Sequence, residues 1–220
     1  MHSDYSLLDS CTKFSEYVDL AVQNGQKAIA STEHGLPRGW LSKKLYCDKM
    51  GINVFELIRL ANCHPRVNIL NPGVGVGGHC IAVDPWFIYE QFPEEAKVIH
   101  ASRLRNENKP RFVAGKVLSE MKKVTDTVLV LGLAYKPDVD DLRESPSIEL
   151  CHLLAEKGVK VIACEPFAPT GEVAGIPNLP FEEAMAQADF VVVTLGHSLF
   201  KENMERIREK PHYDCVGMMS

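Results

Sequence analysis

Cys80 is the residue whose type and setting point most directly to covalent chemistry. It ends the glycine-dense loop NPGVGVGGHC, residues 71–80, and lies four positions before Asp84. Glycines let backbone amides approach a ligand, and a cysteine exposed to such donors is favoured as a thiolate nucleophile. The same spacing also fits a buried cysteine beside a flexible turn. No strand precedes these glycines, so the loop does not match the dinucleotide-binding fingerprint.

A second candidate site is the loop AYKPDVDDLRESPS, residues 134–147. It lies between a predicted strand and a predicted helix that begins at Ser145-Pro146, the position at which doubly wound sheets bind ligands. Lys136 and Arg143 could bind phosphate, and a helix N-terminus favours anions. The alternative is a solvated charged loop with a capping serine. Position and residue types favour ligand binding.

Histidines and cysteines give weaker indications. His2 and the pair Glu33-His34 could be metal ligands, but scattered histidines are more often not ligands, and we predict no metal site. The seven cysteines form no CxxC pair, so zinc or dithiol chemistry is not indicated. We expect most of them to be buried thiols.

The C-terminal hundred residues show the pattern of a doubly wound parallel sheet. Three continuous apolar runs, at residues 127–134, 159–164 and 189–195, are typical of buried parallel strands. Predicted helices alternate with them: a capped helix that begins at Ser145 and ends at Gly158, then FEEAMAQA, and a final helix over HSLFKENMERIRE. The sequence therefore predicts an α/β domain with ligands at the carboxyl ends of its strands.

The preceding residues are predicted to be mainly helical. Apolar spacing indicates a helix from about residue 52 that closes at His64-Pro65, a helix over PWFIYEQF, and a longer stretch, 94–122, broken near Pro110. At the N-terminus, a helix that follows Asp9 and Ser10 and a strand at 27–32 predict an α/β fragment.

Composition narrows the class of protein. Hydrophobic residues make up 45% and charged residues 24% of the 220 residues, which is typical of a folded globular protein. Net charge is −5 and no basic block occurs, so we expect no nucleic-acid partner. The sequence has neither a long apolar run nor a signal-peptide pattern, so we expect no membrane association and a cytoplasmic protein.

Two long motifs carry a family resemblance. Residues 66–84, RVNILNPGVGVGGHCIAVD, and residues 133–147, LAYKPDVDDLRESPS, resemble the UDP-glucose/UDP-N-acetylmannosamine 6-dehydrogenase family, and PGVGVGGHCIAVDPWF is most similar to its UDP-N-acetyl-D-mannosamine branch. The resemblance runs from about residue 45 to residue 216. It implies a central helical dimerisation segment at 45–122 with the cysteine loop, and a Rossmann-like UDP-binding domain at 123–220.

The resemblance implies a specific chemistry. Enzymes of this family oxidise the C6 alcohol of a UDP-sugar to a carboxylate in two NAD-dependent steps, through a thiohemiacetal and a thioester on a cysteine. By this resemblance, Cys80 is the nucleophile and Asp84 assists proton handling and the hydrolytic water. A soft thiolate adding to an aldehyde is consistent with that role.

The resemblance also implies binding residues and partners. Arg66 matches an arginine that reaches a sugar nucleotide, often in the neighbouring subunit, which implies a homodimer through the central helices. The remaining implied contacts are the backbone of the loop at Asn71, Gly73, Gly75 and Gly77 with the sugar nucleotide, Tyr135 and Lys136 with the same ligand, and Arg143 with the pyrophosphate of NAD.

The sequence also departs from the family pattern. Family members are longer and begin with an NAD-binding domain that carries GxGxxG, to which nothing in this sequence corresponds. This sequence also lacks a lysine and an asparagine that precede the central helix in the family. Val83 stands where many members have lysine. We therefore expect a truncated dehydrogenase with little or no turnover alone. The alternative is a non-catalytic UDP-sugar-binding or dimerisation module.

Residues 1–44 resemble a different family, the PHP domain at the start of DNA polymerase III α subunits. His2 and Glu33-His34 match two of its metal motifs, but most of its ligands are missing. We expect a fused fragment with a junction near Tyr46-Cys47, and a PHP-type phosphoesterase is the weakest of the functional alternatives.

Overall fold

The computed structural model describes residues 53–66, 68–124 and 126–219, together with Asp19, Leu20 and Gln23, which are helical. The chain divides into two compact units, one up to Asn71 and one from Pro72 to Met219. The predicted strand at 27–32 and the histidines of the N-terminal fragment lie outside the described residues. Within the described ranges, no helix is long and apolar enough to cross a membrane.

The first unit contains helix α1, Val54–Ala61. The side chain of Asn53 caps its start by accepting from the backbone N–H groups of Phe55 and Glu56, at 2.9 and 3.3 Å. Beyond the helix, Asn62 exchanges two hydrogen bonds with the backbone of Ile69, at 2.6 and 2.9 Å. The helix predicted to begin near residue 52 is confirmed, although it ends before His64.

The second unit opens with three helices, α2 (Asp84–Gln91), α3 (Lys97–Glu107) and α4 (Lys109–Glu120). The predicted break near Pro110 is confirmed: Asn108 separates α3 from α4, and Pro110 lies in the first turn of α4. Proline is tolerated there because the first N–H groups of a helix have no partner within the helix.

A six-stranded sheet forms the centre of this unit. Its strands are β1 (Thr127–Leu131), β2 (Lys160–Cys164), β3 (Gly171–Val173), β4 (Ile176–Asn178), β5 (Phe190–Val193) and β6 (His212–Asp214). Their order is β3-β4-β2-β1-β5-β6, and every neighbouring pair is parallel except β3 with β4. The predicted α/β class and mostly parallel sheet are confirmed.

Helices cover both faces of the sheet. Helices α4 and α5 (Pro146–Glu156) contribute to one apolar cluster, and α6 (Phe181–Gln187), α7 (Ser198–Glu202) and α8 (Met204–Arg208) contribute to the other. Val128 and Val130 belong to the first cluster and Leu129 and Leu131 to the second, and all five residues of β1 are buried. A strand buried on both faces needs a continuous apolar run, which is the pattern from which β1 was predicted.

Two features of the second unit differ from the prediction. Strands β3 and β4 form an antiparallel hairpin whose two-residue turn has Ala174 at φ 51° and Gly175 at φ 80°, as a type I′ turn requires. The single final helix predicted over HSLFKENMERIRE is wrong: Asn203, at φ −106°, separates α7 from α8.

Candidate functional site

The candidate site lies where the strand order reverses. The chain leaves β1 for α5 on one face of the sheet, and it leaves β5, the neighbour of β1, for α7 on the other face. The loops at the carboxyl ends of β1 and β5 therefore diverge, and ligands of doubly wound sheets bind in the crevice that such loops form. The hydroxyl of Thr194 ties the two strand ends together by donating to the carbonyls of Leu131 and Gly132, at 2.8 and 2.6 Å.

The loop after β1 is held by its own hydrogen bonds. The N–H of Tyr135 donates to the carbonyl of Asp141 at 3.0 Å, and the hydroxyl of Ser145 donates to the carbonyl of Leu133 at 2.5 Å. Ser145 also caps α5 by accepting from the N–H of Ser147 at 3.2 Å. One buried serine therefore joins the start of the loop to the helix that follows it, and the predicted cap is confirmed.

Arg143 projects from this loop towards solvent. Its guanidinium forms a two-pronged contact with the carboxylate of Asp141, at 2.9 and 2.5 Å. The pKa of Asp141 falls to about 2, chiefly because of this side-chain hydrogen bond, with a smaller contribution from His79. The pKa of Arg143 rises, first through the same bond and further through Tyr135 and Cys80. Residues of the glycine loop and of the loop after β1 therefore share one electrostatic neighbourhood.

The glycine loop packs directly against the start of α5. The N–H of Gly78 donates to the carbonyl of Arg143 at 3.0 Å. A Cβ on Gly77 would lie 2.4 Å from the carbonyl oxygen of Glu144, and one on Gly78 would lie 3.0 Å from the Tyr135 ring. This approach of two backbones has room only for glycine, which explains the glycine density that the sequence shows.

Two residues of α3 that were not singled out from the sequence also bind the backbone in and after this loop. The side-chain amide of Asn106 exchanges two hydrogen bonds with the backbone of Val76, at 2.8 and 2.9 Å. The buried guanidinium of Arg103 donates to the carbonyl of Ile81 at 3.3 Å, while its Nε lacks a hydrogen-bond partner. The string RLRNENKP, residues 103–110, is typical of a mostly polar helix surface, so neither contact could be predicted.

Cys80 lies at the end of this loop with its side chain exposed. Its carbonyl accepts from the N–H groups of Val83 and Asp84, at 3.1 and 2.8 Å, and this turn leads into α2. Asp84 is the first residue of that helix and is also exposed. Cys151 and Cys164 are buried, and burial raises the pKa of both thiols, that of Cys164 to about 12. Among these three cysteines, only Cys80 is placed to react with a ligand.

A buried polar network at the ends of β1, β2 and β5 was also not predicted. Glu165, directly after β2, accepts at one carboxylate oxygen from the N–H groups of Leu133 and Ala134, at 2.7 and 2.8 Å. The same oxygen lies 3.2 Å from Nε2 of His197. An acidic residue after the second strand was a signal that could have been used, because that position contacts a ribose in dinucleotide-binding folds. Here it binds the protein's own backbone.

The structure therefore brings several predicted site residues together: Gly75, Gly77, Cys80, Tyr135 and Arg143 all belong to the two facing loops. Lys136 is exposed in the same loop as Tyr135. Gly73 is not part of the tight contact, because a Cβ there would meet no atom within 4 Å. Arg66 and Asn71 are exposed residues of the first unit. No cluster of potential metal ligands occurs within the described ranges.

Comparisons with known proteins agree with the class that the fold defines, a doubly wound α/β protein of the nucleotide-binding type. Residues 129–219 match the UDP binding domain, and residues 43–108 the central domain, of the UDP-glucose/GDP-mannose dehydrogenase family. The chain belongs to this family. The resemblance of the two long motifs is thereby confirmed, whereas the PHP-like resemblance of residues 1–44 gains no support.

Curated relatives give the same result. The chain is 46% identical over 173 residues to a UDP-N-acetyl-D-mannosamine dehydrogenase of Campylobacter jejuni, which covers 72% of this chain and 40% of the relative. It is 41% identical over 181 residues to an NDP-N-acetyl-D-galactosaminuronic acid dehydrogenase of Ralstonia solanacearum, covering 80% and 43%. The chain thus spans about two fifths of the length of these relatives.

Solved structures extend the likeness to the fold. The UDP-D-ManNAc dehydrogenase of Pyrococcus horikoshii superposes with a TM-score of 0.67 at 32% identity, over 80% of this chain and 43% of that one. The UDP-N-acetyl-mannosamine dehydrogenase of Staphylococcus aureus gives 0.64 at 34% identity, over 82% and 42%.

Proposed function

We propose that this chain supplies the sugar-nucleotide-binding and cysteine-bearing part of a UDP-sugar 6-dehydrogenase, with UDP-N-acetylmannosamine as the expected substrate. The observation that carries the proposal is the packing of the glycine loop on the loop after β1, which puts Cys80 in one neighbourhood with Tyr135 and Arg143. Both loops lie in regions that match the family models. The choice of UDP-N-acetylmannosamine is supported by the motif PGVGVGGHCIAVDPWF and by the names of curated relatives.

The proposed binding roles follow from exposure and donor type. Tyr135 and Lys136 would contact the nucleotide from the loop after β1, and the backbone from Asn71 to Gly77 would contact it from the glycine loop. Arg66 would reach a sugar nucleotide, as the family pattern implies. Lysine and arginine suit phosphate because each offers several N–H donors and a positive charge.

In the proposed reaction, a first oxidation removes a hydride and a proton from the C6 alcohol and gives an aldehyde. The thiolate of Cys80 then attacks this aldehyde, and a carbon–sulfur bond forms as the carbonyl oxygen takes a proton. Loss of a hydride and a proton from this thiohemiacetal gives a thioester. Water then attacks the thioester carbon, the carbon–sulfur bond breaks, and the carboxylate and free thiol are released. Asp84, at the start of α2, is the proposed base for that water.

NAD is the proposed hydride acceptor for both oxidations. Glu165, directly after β2, is engaged by backbone N–H groups and His197, so its carboxylate is not available to a ribose. Arg143, in contrast, is exposed, and it could turn from Asp141 to a pyrophosphate. The residues therefore fit one contact with the cofactor, from Arg143 to its pyrophosphate.

The proposal predicts that the UDP-sugar protects Cys80 from alkylation. With iodoacetamide, Cys80 should be labelled much faster than the buried Cys151 and Cys164. Saturating UDP-N-acetylmannosamine should slow labelling of Cys80 at least tenfold, because its C6 would lie against the sulfur. Mass spectrometry of tryptic peptides measures both rates. The exposed Cys63 is the internal control, and equal labelling of Cys80 with and without the sugar nucleotide would falsify the proposed role.

A dimerisation module is the second candidate function, and exposed apolar side chains favour it. Phe87, Ile88 and Phe92, in and after α2, are 61%, 48% and 59% exposed, and Val98 in α3 is 56% exposed. Several large apolar side chains exposed along one stretch of chain are typical of an interaction surface. A homodimer through the central helices is therefore part of the proposal.

Replacing Phe87 by glutamate should weaken this dimer at least tenfold, because a charge would be buried at the interface without a partner. Sedimentation velocity over a concentration series measures the change. The control is Glu90→Gln, on the exposed surface of the same helix. A wild-type chain that stays monomeric at every concentration would contradict the dimer.

A further inference from the structure

His197 is a fully buried side chain at the carboxyl end of the sheet, in the connection from β5 to α7. Its Nδ1 accepts from the backbone N–H of Asp138 at 2.9 Å. Since Nδ1 acts as the acceptor, Nε2 carries the proton and donates to Glu165, at 3.2 Å. One imidazole thus joins the end of β2 to the loop after β1.

Two aromatic rings also pack against this imidazole. Phe167 stacks on it with ring centroids 5.4 Å apart, and Phe200 meets it edge-on at 5.2 Å. The ring is therefore fixed in orientation, and its two nitrogens address two different partners. A buried imidazole that makes hydrogen bonds with both nitrogens stabilises the position of the groups it binds, here the backbone of Asp138 and the carboxylate of Glu165.

The backbone that it binds is the segment 133–138, which carries Tyr135 and Lys136. Glu165 accepts from the first two N–H groups of this segment, and His197 accepts from the last. Burial alone would raise the pKa of Glu165, but the hydrogen bonds from His197 and from the backbone of Ala134 and Phe167 outweigh it and lower the pKa. Glu165 is thus a carboxylate that binds both the start of this segment and the imidazole of His197.

Asp138 shows how tightly the far end of the segment is held. It has φ 57°, which is uncommon for a residue other than glycine. Its carboxylate accepts from the N–H and the hydroxyl of Ser198, at 2.9 and 2.8 Å, and these bonds lower its pKa. The segment therefore runs between two anchors, Glu165 at its start and the His197-Ser198 pair at its end.

We propose that His197, through Glu165 and Asp138, is a positioning residue that holds Tyr135 and Lys136 in place for the nucleotide. This inference rests on the proposed function. Within the pair Tyr135-Lys136, the N–H of Tyr135 donates to the carbonyl of Asp141 and its ring lies beside Gly78, and the network adds the anchors of the backbone on either side. Loss of the imidazole nitrogens should free that backbone and weaken nucleotide binding without unfolding the sheet.

The test compares two substitutions of His197 by titration calorimetry with UDP, below the melting temperature of each variant. His197→Phe keeps the ring and removes both nitrogens, and UDP should bind at least tenfold more weakly. His197→Asn keeps an acceptor near Asp138 and should recover most of that affinity. Amide hydrogen exchange at Asp138 should be faster in His197→Phe, where UDP affinity is lost, and unchanged in His197→Asn.

A third variant covers the case in which the buried substitutions do not fold. Ser198→Pro removes both hydrogen bonds to Asp138 and suits the first position of a helix, so α7 should persist. We expect at least threefold weaker UDP binding, against no change in Ser119→Ala on the surface of α4.

The outcomes separate this inference from the proposed function. Wild-type affinity for UDP in folded His197→Phe would overturn the positioning role, as would an equal loss in His197→Asn. Wild-type affinity in Ser198→Pro would overturn the anchoring of the segment through Asp138, on which that role depends. A wild-type chain that does not bind UDP would instead overturn the proposed function, and this inference with it.

Discussion

Replacing Gly132 by alanine should lower the free energy of unfolding of the second unit by about 2–5 kcal/mol. Gly132 follows β1 directly and has φ 100°, a backbone conformation that residues other than glycine rarely adopt. An added Cβ would lie 2.6 Å from Cβ of Leu195, in the loop after β5. Neither atom can rotate away, so the ends of the two strands would have to separate. Urea unfolding followed by circular dichroism measures the loss.

Gly158→Ala is the matched control for this substitution. Gly158 also has a positive φ, 83°, but a Cβ there would meet no atom within 4 Å. Its replacement should therefore cost only the backbone strain, about 1 kcal/mol. Equal losses in the two variants would contradict a role for the close approach of Gly132 and Leu195.

Replacing Gly77 by alanine should weaken UDP binding at least tenfold, which corresponds to about 1.4 kcal/mol. A Cβ on Gly77 would lie 2.4 Å from the carbonyl oxygen of Glu144 and 3.0 Å from Pro146. Since both neighbours belong to the start of α5, the glycine loop would have to move away from it. The hydrogen bond from Gly78 to Arg143 would then be lost.

Amide hydrogen exchange at Gly78 reports this movement directly, and calorimetry reports the affinity. Gly73→Ala is the control for loop packing, because a Cβ at Gly73 would meet no atom within 4 Å. It should leave the protection of Gly78 unchanged. Unchanged Gly78 protection in Gly77→Ala would show that the loop does not depend on this contact.

The sheet could be predicted from sequence because its main strands are buried on both faces. Such strands are continuous apolar runs, as in β1 and β5, and the cap at Ser145-Pro146 marks the helix that follows β1. Strand β6 and the hairpin of β3 and β4 were not predicted, because three-residue strands carry little periodicity and Pro177 disfavours a strand.

The candidate site could be predicted where chemistry is local in sequence and not where it is assembled in space. Cys80 and the loop around Lys136 stand out by residue type. Glu165 and His197 do not, because their partners are backbone N–H groups about 30 to 60 positions away in the chain. His197 leaves no pattern in a single sequence, whereas the position of Glu165 directly after β2 was a usable signal for that residue but not for its partners.

The central claim is that the second unit binds a uridine nucleotide at the carboxyl ends of β1 and β5. Titration calorimetry of the purified chain with UDP tests it most directly. We predict saturable binding of one UDP per chain, with clearly weaker binding in Lys136→Ala. The claim would be contradicted if no saturable heat appeared up to about 1 mM UDP. A dissociation constant of that size corresponds to a binding free energy of only about 4 kcal/mol.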